Sequence, residues 1–347
     1  MKLLIVTQAV DTNNPALAFF HRWITEFAKH VEQVTVICLF EGKHSLPSNV
    51  SIHSLGKEKG KQSVFFYSFA FKRLAWDLRH EYDTVFVHMN PEYLVIAGPL
   101  WKFLRKRTAL WYMHKTVSWR LVLGALFADS IFTASSRSLR LHTRKKHVVG
   151  HGVDISMLPQ ATAPLYPPLA LITIGRISPV KRTHILLEAF ALLRDSGIEA
   201  YFSIAGAPAG THGAQYEQQL RKQAEGLGIA DRVIFLGAVP HTELGPLLAE
   251  SHLFLHASDT GSLDKASLEP LAVGVPVITV DEELAGAGIP GIHGVTPDAE
   301  SFAGAIRKAI GTRLWDDESV RNGVRTYVAE HHELTRLIPR ILAIVET

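Results

Sequence analysis

The stretch LALITIGRISPVKRTHILLEAFALLRDSGIEAYFSIAG, residues 169–206, decides the fold. LALITIG (169–175) is a short apolar run, rich in β-propensity, that stops at a glycine. Thr183 to Arg194 then carries apolar residues at helical spacing, and AYFSIAG (200–206) is a second strand ending in a second glycine. Strand, helix and strand in this order form a βαβ unit, whose strands run parallel. Downstream the alternation continues with helix 215–225, strand RVIFLG (232–237), helix 242–249, strand LFLHAS (253–258), helix 267–272 and strand PVITV (276–280). Helices at 299–310, 318–330 and 334–345 close the chain.

Upstream lies SMLPQATAPLYPPL (156–169), whose four prolines break regular structure and read as a linker. Before it the same alternation runs through strands at 3–7, 34–40, 84–88, 109–113, 130–134 and 147–149, with helices at 16–29, 65–80 and 93–104. The expectation is α/β throughout, in two doubly wound domains of 1–160 and 161–330, with a last helix, about 330–347, packing back on the first. Ligands of such folds sit beyond the carboxyl ends of the strands, so chemistry belongs to the loops that follow strands. No internal repeat or low-complexity tract interrupts the pattern.

The 347 residues are 47% hydrophobic and 20% charged, as in soluble globular proteins with a core in each domain. The single cysteine, Cys38, lies inside the strand-like run VTVICLF and has no partner for a disulfide. The opening MKLLIVTQAVD has only Leu3–Val6 as an unbroken apolar run, too short for a signal-peptide core, and no stretch suffices for a membrane span. The expected location is the cytoplasm, with a peripheral position on the inner face of the cytoplasmic membrane as the alternative.

The net charge of +3 conceals an asymmetry. Residues 1–150 hold 21 Lys and Arg against 10 Asp and Glu, a charge of +11; residues 151–347 hold 15 against 23, or −8. Cations cluster in LWKFLRKR (100–107) and RLHTRKKH (140–147), beside apolar residues. Such a surface suits an anionic membrane or is a set of solvated helix ends. Nucleic acid is not an expected partner, because no aromatic platform or recognition motif accompanies the charge.

Two segments carry chemistry. GRISPVKR (175–182) follows a strand: Gly175 lets the backbone approach a ligand, while Arg176 and Lys181 place a guanidinium fork and an ammonium where a diphosphate would gain charge on leaving. The plain alternative is a solvated basic loop. DTGSLDKASLEPLAVGVPVI (259–278) runs from a strand into a glycine turn and a helix expected near Ser267. The N–H groups of residues 262–266 would face outward and favour anions, and Glu269, one turn in, is placed to accept hydrogen bonds from vicinal hydroxyls.

Together these segments resemble the nucleotide-sugar site of the retaining glycosyltransferases of family 4, which have the GT-B fold of two facing Rossmann-like domains. The resemblance runs from GHGVD (150–154) through FLGAVPHTELGPLLAESHLFLHAS (235–258) to about residue 310. It implies that Arg176 and Lys181 hold the donor diphosphate, that Glu269 binds the ribose, that backbone near Val239 meets the base, and that Gly175, Ser262, Leu263 and Lys265 complete the donor site. Asp154 matches a structural turn. WYMHK places His114 where the family has a histidine near the transferring sugar, and VFVHMNP ends a strand at His88, followed by Asn90.

The sequence departs from the family at two places. The first of the usual two glutamates is replaced by Gly261, and Asp264 stands where a glycine is more usual, so Asp264 joins His114 as a catalytic candidate. The glycine pair after the first strand is replaced by DTNNPALAFF (11–20), which puts Asp11 on the acceptor side with His88 and Asn90.

What the resemblance implies is transfer of a sugar, with retention, from a UDP- or GDP-linked donor to a glycan or lipid-linked acceptor hydroxyl in surface glycan or glycolipid synthesis. The alternatives are a degenerate nucleotide-sugar binding module and a nucleotide-sugar epimerase. The chain has no phosphate loop of the GxxxxGK[ST] type, no GxGxxG and no Asp-x-Asp pair at a strand end. Neither His252 with His256 nor His331 with His332 has zinc-ligand spacing, so no metal and no further cofactor are expected.

Overall fold

The computed structural model describes every residue except 15, 16, 163, 164, 260 and 347, and every described side chain except that of His241. The chain forms two compact units, residues 1–152 with 334–347, and residues 153–333.

In the first unit β1 (Lys2–Val10), β2 (Gln33–Glu41), β3 (Val50–Ser54), β4 (Thr84–His88), β5 (Arg107–Trp111), β6 (Ser130–Thr133) and β7 (Lys146–Val148) form a parallel sheet in the order β3-β2-β1-β4-β5-β6-β7. Its helices are α1 (Phe20–His30), α2 (Val64–Asp77), α3 (Glu92–Phe103), α4 (Trp119–Phe127) and the chain's last helix, Leu334–Glu346. Side chains alternate across the sheet. Leu3 and Ile5 of β1 pack with Trp23, Ile24 and Phe27 of α1 and with Leu337 and Ile341 of the last helix. Leu4 and Val6 face the other way, onto Phe71 of α2 and Leu94 and Trp101 of α3. Both faces are therefore covered, as parallel sheets require.

In the second unit β8 (Leu169–Ile174), β9 (Ala200–Ala205), β10 (Val233–Gly237), β11 (Leu253–His256), β12 (Val277–Thr279) and β13 (Ile292–Gly294) are parallel in the order β10-β9-β8-β11-β12-β13. Around them lie α5 (Thr183–Asp195), α6 (Gly213–Gly226), α7 (His241–Ala249), α8 (Lys265–Val273), α9 (Glu282–Ala285), α10 (Ala299–Thr312) and α11 (Glu318–His331). Leu169 and Leu171 pack on α5 and α10 through Leu187, Phe190, Phe302 and Ile306. Ile172 faces Leu268 and Leu271 of α8 and Val324 and Val328 of α11.

Both sheets place their first and fourth strands side by side, the 3-2-1-4 order of doubly wound folds. The strand order therefore reverses between β1 and β4 and between β8 and β11, where a crevice opens beyond the carboxyl ends.

Some elements differ from the sequence reading. The strand β3 was not expected; its five residues VSIHS are all half-buried at the sheet edge, so no apolar alternation marks them. The helix α4, also unread, starts where Ser118 caps the N–H of Leu121. The proline-rich stretch taken as a linker is tied to the second unit, since the Ala161 N–H donates to the Val273 carbonyl at 2.8 Å; its residues 163 and 164 lie outside the described residues. The expected helix from Ala16 begins at Phe20, and Ala16 itself is outside the described residues.

Candidate functional site

Beside the second unit's reversal point the ends of β8, β9 and β10 meet backbone to backbone. Gly175, with φ +151°, donates its N–H to the Ala205 carbonyl at 2.9 Å, and Gly206, with φ +148°, donates to Gly237 at 2.7 Å. A Cβ on Gly206 would lie far inside the contact distance of the Gly175 oxygen. Only glycine takes that backbone conformation and that approach.

The loop after β8 then presents its cations. Arg176 is exposed, and its guanidinium makes no ion pair or hydrogen bond with a described residue. Lys181 lies across Gly175, where an added Cβ would stand 3.2 Å from Lys181 Cε. Arg182 pairs with Asp259 at 2.6 Å, and the Asp259 N–H donates to the Val180 carbonyl at 2.9 Å, so this loop is joined to the one after β11.

The helix α8 begins at Lys265, two residues before the expected start, because Asp264 caps it: Oδ1 accepts from the Ala266 N–H at 3.2 Å. The N–H of Ala266, expected to face a ligand, is thereby taken by the chain's own carboxylate. Asp264 Oδ2 forms an ion pair with Lys181 Nζ, both side chains 17% exposed, and lies 3.6 Å from Nε2 of His256. Burial alone would raise the Asp264 pKa, but His256 and the Lys181 ammonium hold the carboxyl well below the usual carboxylate range. His256 is itself buried at the end of β11, with Nδ1 2.9 Å from Thr279 Oγ1, and that oxygen accepts from the Asp281 N–H.

The remaining donor-side candidates fall around this centre. Glu269 is buried one turn into α8, its Oε1 3.4 Å from Lys265 Nζ. The Leu263 side chain belongs to the core, which leaves its backbone to meet a ligand, and Ser262 is half-buried beside it. Gly261, at the place of the family's first glutamate, has φ +62°, a conformation a glutamate would strain to adopt. Val239 is half-buried just past β10, and Asp154 accepts from Ser156 Oγ at 2.6 Å in a local turn.

The first unit treats its candidates differently. His88 ends β4 in full burial, its ring stacked on Phe20 with centroids 3.9 Å apart and Nδ1 3.3 Å from Thr7 Oγ1. Burial pushes this imidazole down to about 3, so it is neutral near pH 7. Asn90 is half-buried in the turn into α3, its N–H bonded to the His88 carbonyl at 2.8 Å. Asp11 uses Oδ1 to accept from the N–H groups of Asn13 at 3.0 Å and Lys43 at 3.2 Å, tying the loop after β1 to the loop after β2. His114 is exposed beyond β5; its Nδ1 accepts from the Thr116 N–H at 3.2 Å, which leaves Nε2 to carry the proton. Residues 15 and 16 of DTNNPALAFF lie outside the described residues.

The structure thus brings Gly175, Lys181 and Asp264 together, with Lys265 and Glu269 one turn further on. Sequence reading weighed His256 only as a metal ligand, met Gly206 only as the glycine that ends a strand, and passed over Ser258 and the Arg182–Asp259 pair. The available signal was position: LFLHAS ends on the strand that neighbours β8 across the reversal. Among the described residues no group of three or more His, Cys, Asp or Glu is arranged to hold a metal.

The basic stretches are partly committed to structure. Lys145 donates to the Ala125 and Ala128 carbonyls at 2.9 and 2.7 Å at the end of α4, and Lys102 pairs with Asp129. Arg105, Arg107, Arg140 and Arg144 remain exposed.

Residues 163–323 match the family model of glycosyl transferases group 1. The similarity to this family extends over a little under half of the chain. It coincides with the unit that contains the Gly175–Lys181–Asp264 centre. A D-inositol 3-phosphate glycosyltransferase of Geodermatophilus obscurus is 34% identical over 157 residues, 42% of this chain and 34% of that protein. The chain spans less than half the length of the curated relatives it matches, 45% of the first of them. Among solved structures, HepE of Anabaena, in complex with UDP and glucose, superposes with a TM-score of 0.75 at 17% identity over the whole of both chains. The lipopolysaccharide outer core galactosyltransferase WaaB gives 0.72 at 15% identity, again over both whole chains. The fold is accordingly that of the GT-B glycosyltransferases, two parallel-sheet Rossmann-like units.

Proposed function

We propose that the protein is a retaining glycosyltransferase that moves a sugar from a UDP- or GDP-linked donor to a glycan or lipid-linked acceptor hydroxyl in surface glycan or glycolipid synthesis. The observation that carries this reading is the second reversal point. There Gly175 and Gly206 clear a backbone floor, the exposed Arg176 and the cation of Lys181 stand beside it, and the buried Glu269 lies one turn into α8.

Each part has a chemical task. A diphosphate leaving group gains negative charge as the anomeric bond breaks, and preorganised cations lower that barrier most. Arg176 offers a planar fork for two phosphate oxygens, and Glu269 accepts from the two ribose hydroxyls. With cations in this role the reaction proceeds without a metal ion. His114 turns an Nε2 proton outward, suited to a sugar hydroxyl.

The test is calorimetric titration with UDP and GDP. One of them binds the wild-type protein, and Glu269→Ala weakens that nucleotide at least tenfold. Unchanged affinity in Glu269→Ala removes the ribose assignment.

A second reading, a binding module without transfer, is favoured by the glycine at 261 and by the pairing of Lys181 with Asp264. Turnover of a bound nucleotide sugar with any acceptor decides between the two.

Contact with an anionic membrane is part of the same proposal. On α2, Val64, Phe65 and Phe69 are 81%, 83% and 63% exposed, next to Lys57, Lys59 and Lys61 and ahead of Lys72 and Arg73. Exposed aromatics among lysines are the composition of an interfacial helix. No helix among the described residues is long and apolar enough to cross a membrane. Co-sedimentation with phosphatidylglycerol vesicles, lost in Phe65→Ser with Phe69→Ser, is the expected result.

A further inference from the structure

The Asp264 carboxylate occupies what is otherwise an anion site. Three kinds of donor converge on it: the Lys181 ammonium, the N–H of Ala266 at the start of the nine-residue helix α8, and His256 Nε2 at 3.6 Å. These are the donors that elsewhere receive phosphate.

A second observation points the same way. Beside the ion pair is a small cavity lined by Gly175, Lys181, Thr183, His256 and Ser258, with room for about one water molecule. Ser258 Oγ is buried there with no hydrogen-bond partner among the described residues, and His256 Nε2, on a side chain only 4% exposed, has nothing among them within hydrogen-bond distance, the Asp264 carboxylate standing at 3.6 Å. Buried polar atoms left unpaired are uncommon and mark a place where a ligand atom or water completes the set.

We propose that Asp264 is a resident competitor for the anion site, holding the place at Lys181 and the α8 N-terminus that an anionic group of the ligand takes. Binding then exchanges one ion pair for another. Lys181 leaves Asp264 for a phosphate oxygen, and the displaced carboxylate keeps the helix cap through Oδ1. A ligand must bring enough charge to displace a carboxylate, so Asp264 acts as a specificity-determining residue. It selects a diphosphate over a singly charged anion. The inference rests on the donor-site reading above but goes beyond it, because that reading needs only that Lys181 meet the diphosphate.

The experiment compares wild type with Asp264→Asn, which keeps the cap, since asparagine caps as well as aspartate does. The probes are inorganic pyrophosphate, UDP, GDP and inorganic phosphate. Without ligand the variant melts at a lower temperature, because a largely buried lysine has lost its counter-charge. It binds pyrophosphate about tenfold more tightly than wild type and gains measurable affinity for inorganic phosphate. Adding Lys181→Met abolishes both gains. Unchanged or weaker pyrophosphate binding in a folded Asp264→Asn overturns the proposal and leaves the donor site standing. A wild-type protein that binds neither nucleotide nor pyrophosphate overturns both. Should Asp264→Asn not fold, Asp264→Ser, which also keeps a capping oxygen, carries the comparison. In wild type the carbon-13 resonance of the Asp264 carboxyl must shift on saturation with pyrophosphate, and an unmoved resonance counts against the exchange.

Discussion

The two units build the same crevice and fill it with opposite chemistry. At the reversal between β1 and β4, the strand-end histidine His88 is stacked on Phe20, with Thr7 Oγ1 3.3 Å from its Nδ1. At the reversal between β8 and β11, the strand-end histidine His256 looks onto a carboxylate, an ammonium and a buried hydroxyl without a partner among the described residues. Topology alone therefore does not make a binding site. It delivers two strand ends to one place, and the loops then decide whether that place is packed or charged. In the first unit α1 lays Phe20 and Trp23 over the strand ends; in the second, two glycines keep the floor bare.

The largest expected effect tests the bare floor. Gly206→Ala sets a Cβ into the Gly175 carbonyl at a backbone angle that L-residues rarely adopt, and should destabilise the second unit by about 3 kcal/mol or more in urea unfolding. Gly197→Ala is the comparison, since it shares a positive φ but has open space around it. If both lose the same amount, the close approach at 206 contributes nothing.

The next effect tests the packed crevice. His88 titrates near 3 in the fold against about 6.5 in the unfolded chain. Between those values the unfolded state holds a proton that the folded state refuses. The stability contributed by the neutral ring is complete above pH 6.5 and declines as pH falls, by about 1.4 kcal/mol per unit. From pH 6 to 4.5 that is about 2 kcal/mol. His21 and His293 are also lowered by burial and add to the slope of any variant, so the quantity to read is wild type minus His88→Gln. Equal slopes would mean that water reaches His88 and that the first crevice is not sealed.

Much of this architecture was legible in advance, for identifiable reasons. Strands in the middle of a sheet, such as Leu3–Thr7 and Leu169–Ile174, announce themselves as apolar runs, and in the second unit the glycines at 175 and 206 that stop two of them mark the loops. The half-buried edge strand β3 and the short β13 carry no such signal. Gly175, Arg176, Lys181 and Glu269 could be named as candidates because they lie at fixed distances along the chain from a strand end or a helix start. The partners of Lys181 were not. Asp264 is 83 residues away, and only the strand order brings it close. Asp264 was suspected for its carboxylate; that it would cap α8 and neutralise the lysine follows from side-chain reach, which spacing along the chain does not express. The burial of His88 was hidden for the opposite reason. A strand-end histidine looks the same in sequence whether an aromatic helix closes over it or not.

Arg176 sharpens the comparison on the charged side. It is exposed and pairs with nothing among the described residues, so Arg176→Ala should leave the melting temperature unchanged. If it grips a diphosphate, nucleotide affinity should fall about tenfold, the lower end of what a charge-assisted bidentate bond supplies. A fall in stability with affinity intact would reassign it to folding.

The smallest effect returns to the first unit. Asp11 spends Oδ1 on two backbone N–H groups, and Gly42 packs so closely on its side chain that no larger residue fits there. A carboxylate used in this way is a loop tie. Asp11→Ala should then lower stability by about 1 kcal/mol, the ordinary value for such a cap, while Asp11→Asn retains most of it. Under that account turnover follows stability: Asp11→Asn, whose amide oxygen still accepts both N–H groups, works nearly as well as wild type. If instead Asp11→Asn is stable but inactive, the charge itself is needed. The acceptor would then be met by the loop after β1, and the first crevice would be sealed at its floor but not at its rim.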